Sequence, residues 1–129
     1  MIVVDCAALV DALTRVEGSD GLRDELSVGD LHAPSLLDYE VVSAVRGLTL
    51  GGHLSEARGR DVLADYDALP VTTWPSAAEL RSRSYSLRAN VSAYDAAYLA
   101  LAEALGCPLL TRDERLARTV GHDVEVRVR

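Results

Sequence analysis

Short, wholly apolar runs alternate along this chain with longer amphipathic ones. Ile2-Val3-Val4 reads as a buried strand that ends at Asp5, and the spacing predicts a helix from about Ala7 to Arg15. Gly18-Ser19-Asp20-Gly21 is a turn cluster, with a helical turn expected over Leu22 to Leu26. Leu31-His32-Ala33 forms a second short apolar run leading into Pro34. Ser35-Leu36-Leu37-Asp38 carries a capping-box pattern and opens a helix that runs to Gly51-Gly52. Ser55 to Leu69 is a further helix with Val62, Leu63, Tyr66 and Leu69 on one side, and Val71 to Trp74 is a strand closed by Pro75. Ala77 to Leu87 reads as a helix, and Ser92 opens another that ends near Gly106. Pro108 to Thr111 is a strand, Asp113 to Thr119 a short helix, and Val124 to Val128 the last strand. Strands separated by helices predict a three-layer α/β/α sandwich with a mainly parallel central sheet of about five strands. Residues 1–129 read as a single domain without repeat or linker.

Composition narrows the chemistry. With 49% hydrophobic and 26% charged residues, the chain has the make-up of an ordinary soluble domain. No apolar run reaches the ~20 residues that span a bilayer, and an acid at position 5 argues against a secretory leader. Cys6 and Cys107 are too few for a disulfide framework. They read as small buried residues in a reducing cytoplasm, at opposite ends of neighbouring strands. All 13 basic residues are arginine. The missing lysine excludes a phosphate-binding P-loop, Schiff-base chemistry and the lysine-dependent receiver domain that this layout otherwise resembles. His32, His53 and His122 fall at no recurring ligand spacing and read as surface or loop residues.

Four acids stand out against the apolar pattern. Asp5 ends the first strand, and Asp113 follows Leu109-Leu110-Thr111. At ~100° per residue, Glu40 falls inside the apolar arc of Leu36, Leu37, Val41, Ala44 and Leu48, whereas Asp38 points outward as the N3 acid of the cap. Asp95 lines up with Leu99 and Ala102. An ionised carboxylate in apolar surroundings costs several kcal/mol unless it is paired or bound to a cation. Each acid also has a structural role open to it: a helix cap for Asp5, capping boxes for Ser92-x-x-Asp95 and Thr111-x-x-Glu114, a dipole contact for Asp113, and an inward arginine for Glu40. Their joint placement is harder to account for in that way. Ligands of open parallel sheets sit beyond the carboxyl ends of the strands where strand order reverses. If the first strand neighbours the Leu109–Thr111 strand, Asp5 and Asp113 share one crevice. An oxygen-only set of this kind suits Mg²⁺ or Mn²⁺ rather than zinc.

Val3-Val4-Asp5, Glu40 within Asp38-Tyr39-Glu40-Val41, Asp95 within Tyr94-Asp95-Ala96-Ala97-Tyr98, and Leu109-Leu110-Thr111-Arg112-Asp113 together resemble the PIN-domain ribonucleases. The VapC-type toxins of bacterial toxin–antitoxin pairs are the nearest likeness. The resemblance spans nearly the whole chain and implies that Asp5, Glu40, Asp95 and Asp113 hold Mg²⁺ or Mn²⁺, with Thr111 as a supporting hydroxyl. It implies hydrolysis of RNA to 5′-phosphate and 3′-hydroxyl ends, a cognate antitoxin that blocks the acidic pocket, and a homodimer. One departure is Cys6-Ala7-Ala8, where a small polar residue often follows the first aspartate.

The net charge of −7 runs against RNA binding. Neutralising the four acids leaves −7 + 4 = −3, so any RNA groove is local, with Arg46, Arg112, Arg115 and Arg118 as its candidate contacts. Apolar grooves between the early helices are the expected antitoxin surface. Two competing readings are a catalytically weak or inactive PIN-like binding module and a haloacid-dehalogenase-like phosphatase. The second requires Asp-x-Asp, which Asp5-Cys6-Ala7 lacks.

Overall fold

The computed structural model describes all 129 residues. The elements follow in the order β1 (Ile2–Val4), α1 (Cys6–Leu13), α2 (Asp20–Val28), β2 (Leu31–Pro34), α3 (Leu37–Leu50), α4 (Glu56–Ala68), β3 (Val71–Trp74), α5 (Ala78–Ser86), α6 (Ala93–Leu105), β4 (Leu109–Thr111), α7 (Glu114–Ala117) and β5 (Val126–Val128). The sheet order is β3-β2-β1-β4-β5. Every pairing is parallel, so the expected mainly parallel sheet is wholly so. The three-layer α/β/α architecture follows, because a parallel sheet must be covered on both faces. Strand order reverses between β1 and β4, where Val3 pairs with Leu109 and Val4 with Leu110.

Burial explains the short strands. Val3, Val4, Leu109 and Leu110 are fully enclosed, and each belongs to one continuous core with Leu9, Leu37, Val41, Leu99 and Leu101. Truncating one of these leucines to alanine costs about 2–5 kcal/mol. The edge strand β3 is much more exposed than the centre. Helix α6 lies against β1, β2 and β4 and packs on α5, and its limits are set by local chemistry. Ser92 Oγ accepts the Asp95 N–H at its start, and Gly106 closes it at φ 64°, a left-handed conformation that favours glycine.

Three local expectations need correction. Helix α3 starts at Leu37 after Leu36, with no side-chain cap from Ser35. Asp38 is accordingly not a cap acid, and its Oδ1 accepts the Tyr66 O–H at 2.6 Å instead. Thr111 and Glu114 form no capping box, because Asp113 itself caps α7 and its Oδ1 accepts the Arg115 N–H at 2.9 Å. His32 is no surface residue. It is buried within β2, its Nδ1 accepts the Trp74 indole N–H at 3.0 Å, and its Nε2 stands 3.0 Å from Asp30 Oδ2. A short apolar run made His32 look peripheral, yet β2 lies between two neighbouring strands and encloses it. Cys6 follows the carboxyl end of β1 and Cys107 precedes the amino end of β4; both are free thiols and half-buried.

Candidate metal centre

The carboxyl ends of β1 and β4 lie side by side, which brings Asp5 and Thr111 together. Asp5 is held at both oxygens. Oδ1 accepts the Ala8 N–H at 2.9 Å, capping α1, and Oδ2 accepts the Thr111 hydroxyl in a short hydrogen bond. Thr111 is fully buried, and its Oγ1 also accepts the Asp113 N–H at 3.0 Å. One hydroxyl therefore ties the β1–α1 turn to the β4–α7 turn. Capping and site formation are not alternatives for Asp5, since the same carboxylate does both.

No basic side chain pairs with this carboxylate. Burial pushes the Asp5 carboxyl up to about 6, its two hydrogen bonds resist, and the Asp95 and Asp113 charges raise it further. Glu40 is raised as well, by burial first, with the Tyr98 hydrogen bond opposing and the Asp95 charge adding to the rise. Tyr98 on α6 donates its O–H to Glu40 Oε1 at 2.6 Å, joining α6 to α3. Burial and this bond to Glu40 push the phenol far above its usual range, so it remains a donor. Cys6 reports the same field: burial, then Glu40, Asp5 and Asp11, drive its thiol up to about 12. A thiol so disfavoured as thiolate is no nucleophile.

Asp95 occupies the first turn of α6, close enough for its charge to act on both Asp5 and Glu40. Its backbone N–H takes the Ser92 cap, while its carboxylate has no hydrogen-bond donor from the chain. Asp113 differs. Arg115 Nη2 stands 2.9 Å from its Oδ2 and Nε donates to Oδ1 at 3.2 Å, holding the carboxyl below the usual carboxylate range. Arg115, one of the candidate RNA contacts, is engaged within its own turn. Arg112 is likewise committed, to Asp11 Oδ2 at 3.0 Å and the Arg129 carbonyl at 2.8 Å. Arg46 and Arg118 are exposed.

Asp95 and Asp113 act electrostatically on Asp5, and Asp95 on Glu40, so acids from four elements are neighbours, and carboxylate oxygens are the donor type a hard divalent cation takes. No three His, Cys, Asp or Glu side chains stand at ligating spacing. Tyr98, which donates to Glu40, is a side chain of this cluster that sequence reasoning passed over. A phenol three residues after Asp95, within the apolar run Ala96–Leu101, was the available signal.

Comparison with known proteins identifies the family. Residues 2–121 match the PIN domain model. The chain is 36% identical over 126 residues to the Mycobacterium tuberculosis protein named ribonuclease VapC12, covering 98% of this chain and 97% of that one. It is 44% identical over 120 residues to VapC ribonuclease Mb0985 of Mycobacterium bovis, at 92% and 91% coverage. Two solved structures share the fold. VapBC2 from Rickettsia felis, bound to a DNA fragment from its promoter, superposes with a TM-score of 0.69 at 14% identity and 98% coverage of both chains. Mycobacterium tuberculosis VapC20, described as a sarcin-ricin-loop-cleaving toxin, gives 0.68 at 14% identity, covering 93% of this chain and 97% of that one. The chain belongs to the PIN-domain family and, within it, to the VapC group.

Proposed function

We propose that the protein is a metal-dependent endoribonuclease toxin that hydrolyses RNA phosphodiester bonds and is inhibited by a cognate antitoxin. One observation carries this reading: a buried carboxylate, Asp5, sits at the switch point of a parallel sheet with acidic neighbours and no arginine paired to it. Asp5 and Asp95 are the core ligands for Mg²⁺ or Mn²⁺, and Glu40 and Asp113 complete or position the set. When bound, such an ion supplies charge at the attacked phosphoryl group and acidifies water. The chain's own part is orientation. Ala8 N–H and the Thr111 hydroxyl fix the Asp5 carboxylate plane, and the Tyr98 hydroxyl fixes Glu40. Products with 5′-phosphate and 3′-hydroxyl ends, as the family resemblance implies, require that water attack the phosphorus opposite a departing 3′ oxygen, which takes up a proton to become the hydroxyl.

Antitoxin binding is supported by a groove of about 450 Å³ between α1, α2 and α4, lined by Leu9, Ala12, Leu13, Leu26 and Leu69. An amphipathic helix of the antitoxin fits such a surface. Assembly as a homodimer and residence in the cytoplasm belong to the same proposal; no helix is long and apolar enough to cross a membrane. A catalytically silent binding module is the second reading, favoured by the Asp113–Arg115 pair, which occupies one of the four acids. Cleavage of defined RNAs with Mg²⁺, Mn²⁺ or EDTA, by wild type and by Asp5→Asn and Asp95→Asn, separates the two. Metal-dependent cleavage lost in both variants is expected. Cleavage that persists in both removes the metal assignment, and inactivity of the wild type on every RNA supports the silent module.

A further inference from the structure

The carboxyl edge of the sheet carries a second feature beside the acid crevice. A cleft of about 350 Å³ opens beyond the ends of β2 and β3, between α5 and the first turn of α6. Its walls include Trp74, Tyr85, Tyr94, Leu36 and Ala97, with Arg81 at the side and no acidic residue among the lining groups. In a chain of net charge −7, a cleft whose only charge is an arginine is exceptional. The rings are accessible: Trp74 is 37% exposed, Tyr94 67% and Tyr85 69%. A second guanidinium, from Arg88, lies 4.5 Å above the Tyr85 ring. Trp74 is anchored, because its indole N–H is held by buried His32 at 3.0 Å. A ring fixed in this way stacks on a partner with little ordering cost.

The cleft neighbours the acids along the chain. Tyr94 precedes Asp95 on α6, and Leu36 lies one turn before Glu40, whose N–H it accepts at 3.0 Å. From the β1–β4 switch point to the β2–β3 gap is two strand spacings, about 10 Å. Aromatic faces flanked by arginine are the recognised chemistry for unpaired nucleic-acid bases.

We propose that this cleft is the base-binding subsite for single-stranded RNA, stacking an unpaired base of the substrate beside the phosphate that reaches the acids. The proposal rests on the ribonuclease reading for its substrate class. Duplex RNA, whose bases are already stacked, does not enter it.

Trp74 is the only tryptophan of the chain, so its fluorescence reports on the cleft directly. The full-length Asp5→Asn variant is titrated with a short single-stranded RNA of mixed sequence, with a base-free ribose-phosphate oligomer of equal length, and with duplex RNA. Single-stranded RNA should quench Trp74, and the base-free oligomer and the duplex should not. Tyr94→Ala and Arg81→Ala, both at exposed positions, should each weaken single-strand binding by about tenfold. Equal binding of the base-free oligomer, or affinity unchanged in both variants, overturns the subsite. A change in Trp74 emission on dilution without RNA also overturns it, by making a second copy of the chain the occupant. Quenching without cleavage by the wild type would retain the subsite and remove the nuclease. Metal-dependent cleavage indifferent to Tyr94 and Arg81 would do the reverse.

Discussion

The β1–α1 turn and the β4–α7 turn are near twins. Each follows a central parallel strand, each opens a helix, and each places an aspartate at the N-cap. Their electrostatics are opposite. Burial and neighbouring acids lift Asp5 to about 6, whereas Arg115 holds Asp113 below its usual range. Position on the sheet edge therefore does not set the charge state of an aspartate; burial and the presence or absence of a paired arginine do. Thr111 joins the two turns, donating to Asp5 and accepting from Asp113.

The largest expected difference between the turns is catalytic. Asp5→Asn should lower the rate of RNA cleavage in Mg²⁺ by about a thousandfold, since the charge stabilisation at stake is several kcal/mol and about 1.4 kcal/mol is tenfold. Asp113→Asn should cost only about tenfold to a hundredfold, as for a group that supports the site. Equal losses would break the contrast.

Next comes stability without metal. An acid raised in the folded state binds more protons there than in the unfolded chain, so stability falls as pH rises between the two values. For Asp5 the window runs from the unfolded value near 3.8 to about 6. In EDTA the chain should lose about 3 kcal/mol across it, read from denaturation midpoints at pH 4 and pH 7. Asp5→Asn should flatten that slope. A wild-type slope that survives in Asp5→Asn would assign it to another group.

Removing the link between the turns has a smaller effect. Thr111→Val leaves Asp5 Oδ2 without its donor and the Asp113 N–H without its acceptor, and should cost about 1–3 kcal/mol by chemical denaturation. Tyr98→Phe, which leaves Glu40 Oε1 unpaired, should cost about 1 kcal/mol and lower cleavage about tenfold. The smallest effect belongs to Arg115→Ala. Its side chain is 83% exposed, so stability should change by less than about 1 kcal/mol. Mg²⁺ affinity, followed by calorimetry, should rise if Asp113 is then released to the site and stay constant if it remains a cap.

Much of this could be read in the chain because local chemistry and tertiary structure agree there. Val71–Trp74 is bounded by prolines, and α6 is bracketed by Ser92 and Gly106, so both match the expected limits closely. The helical-face test likewise separated inward Glu40 from exposed Asp38. Where expectation failed, a distant partner had replaced a local one. Asp38 is engaged by Tyr66 across to α4, and His32 by Trp74 on the adjacent strand. Tyr98 escaped notice for the same reason, since its phenol matters only once α3 brings Glu40 to it. Sequence spacing sees the near partner and misses the far one.

A divalent ion in the crevice would supply the counter-charge that no side chain gives Asp5. Titration of its ¹³C carboxyl shift in the wild-type chain, first in EDTA and then with saturating Mg²⁺, tests it most directly. The midpoint should lie at about 6 without metal and fall below the ordinary aspartate value of about 3.9 when Mg²⁺ is present. A midpoint that Mg²⁺ leaves unmoved would contradict it.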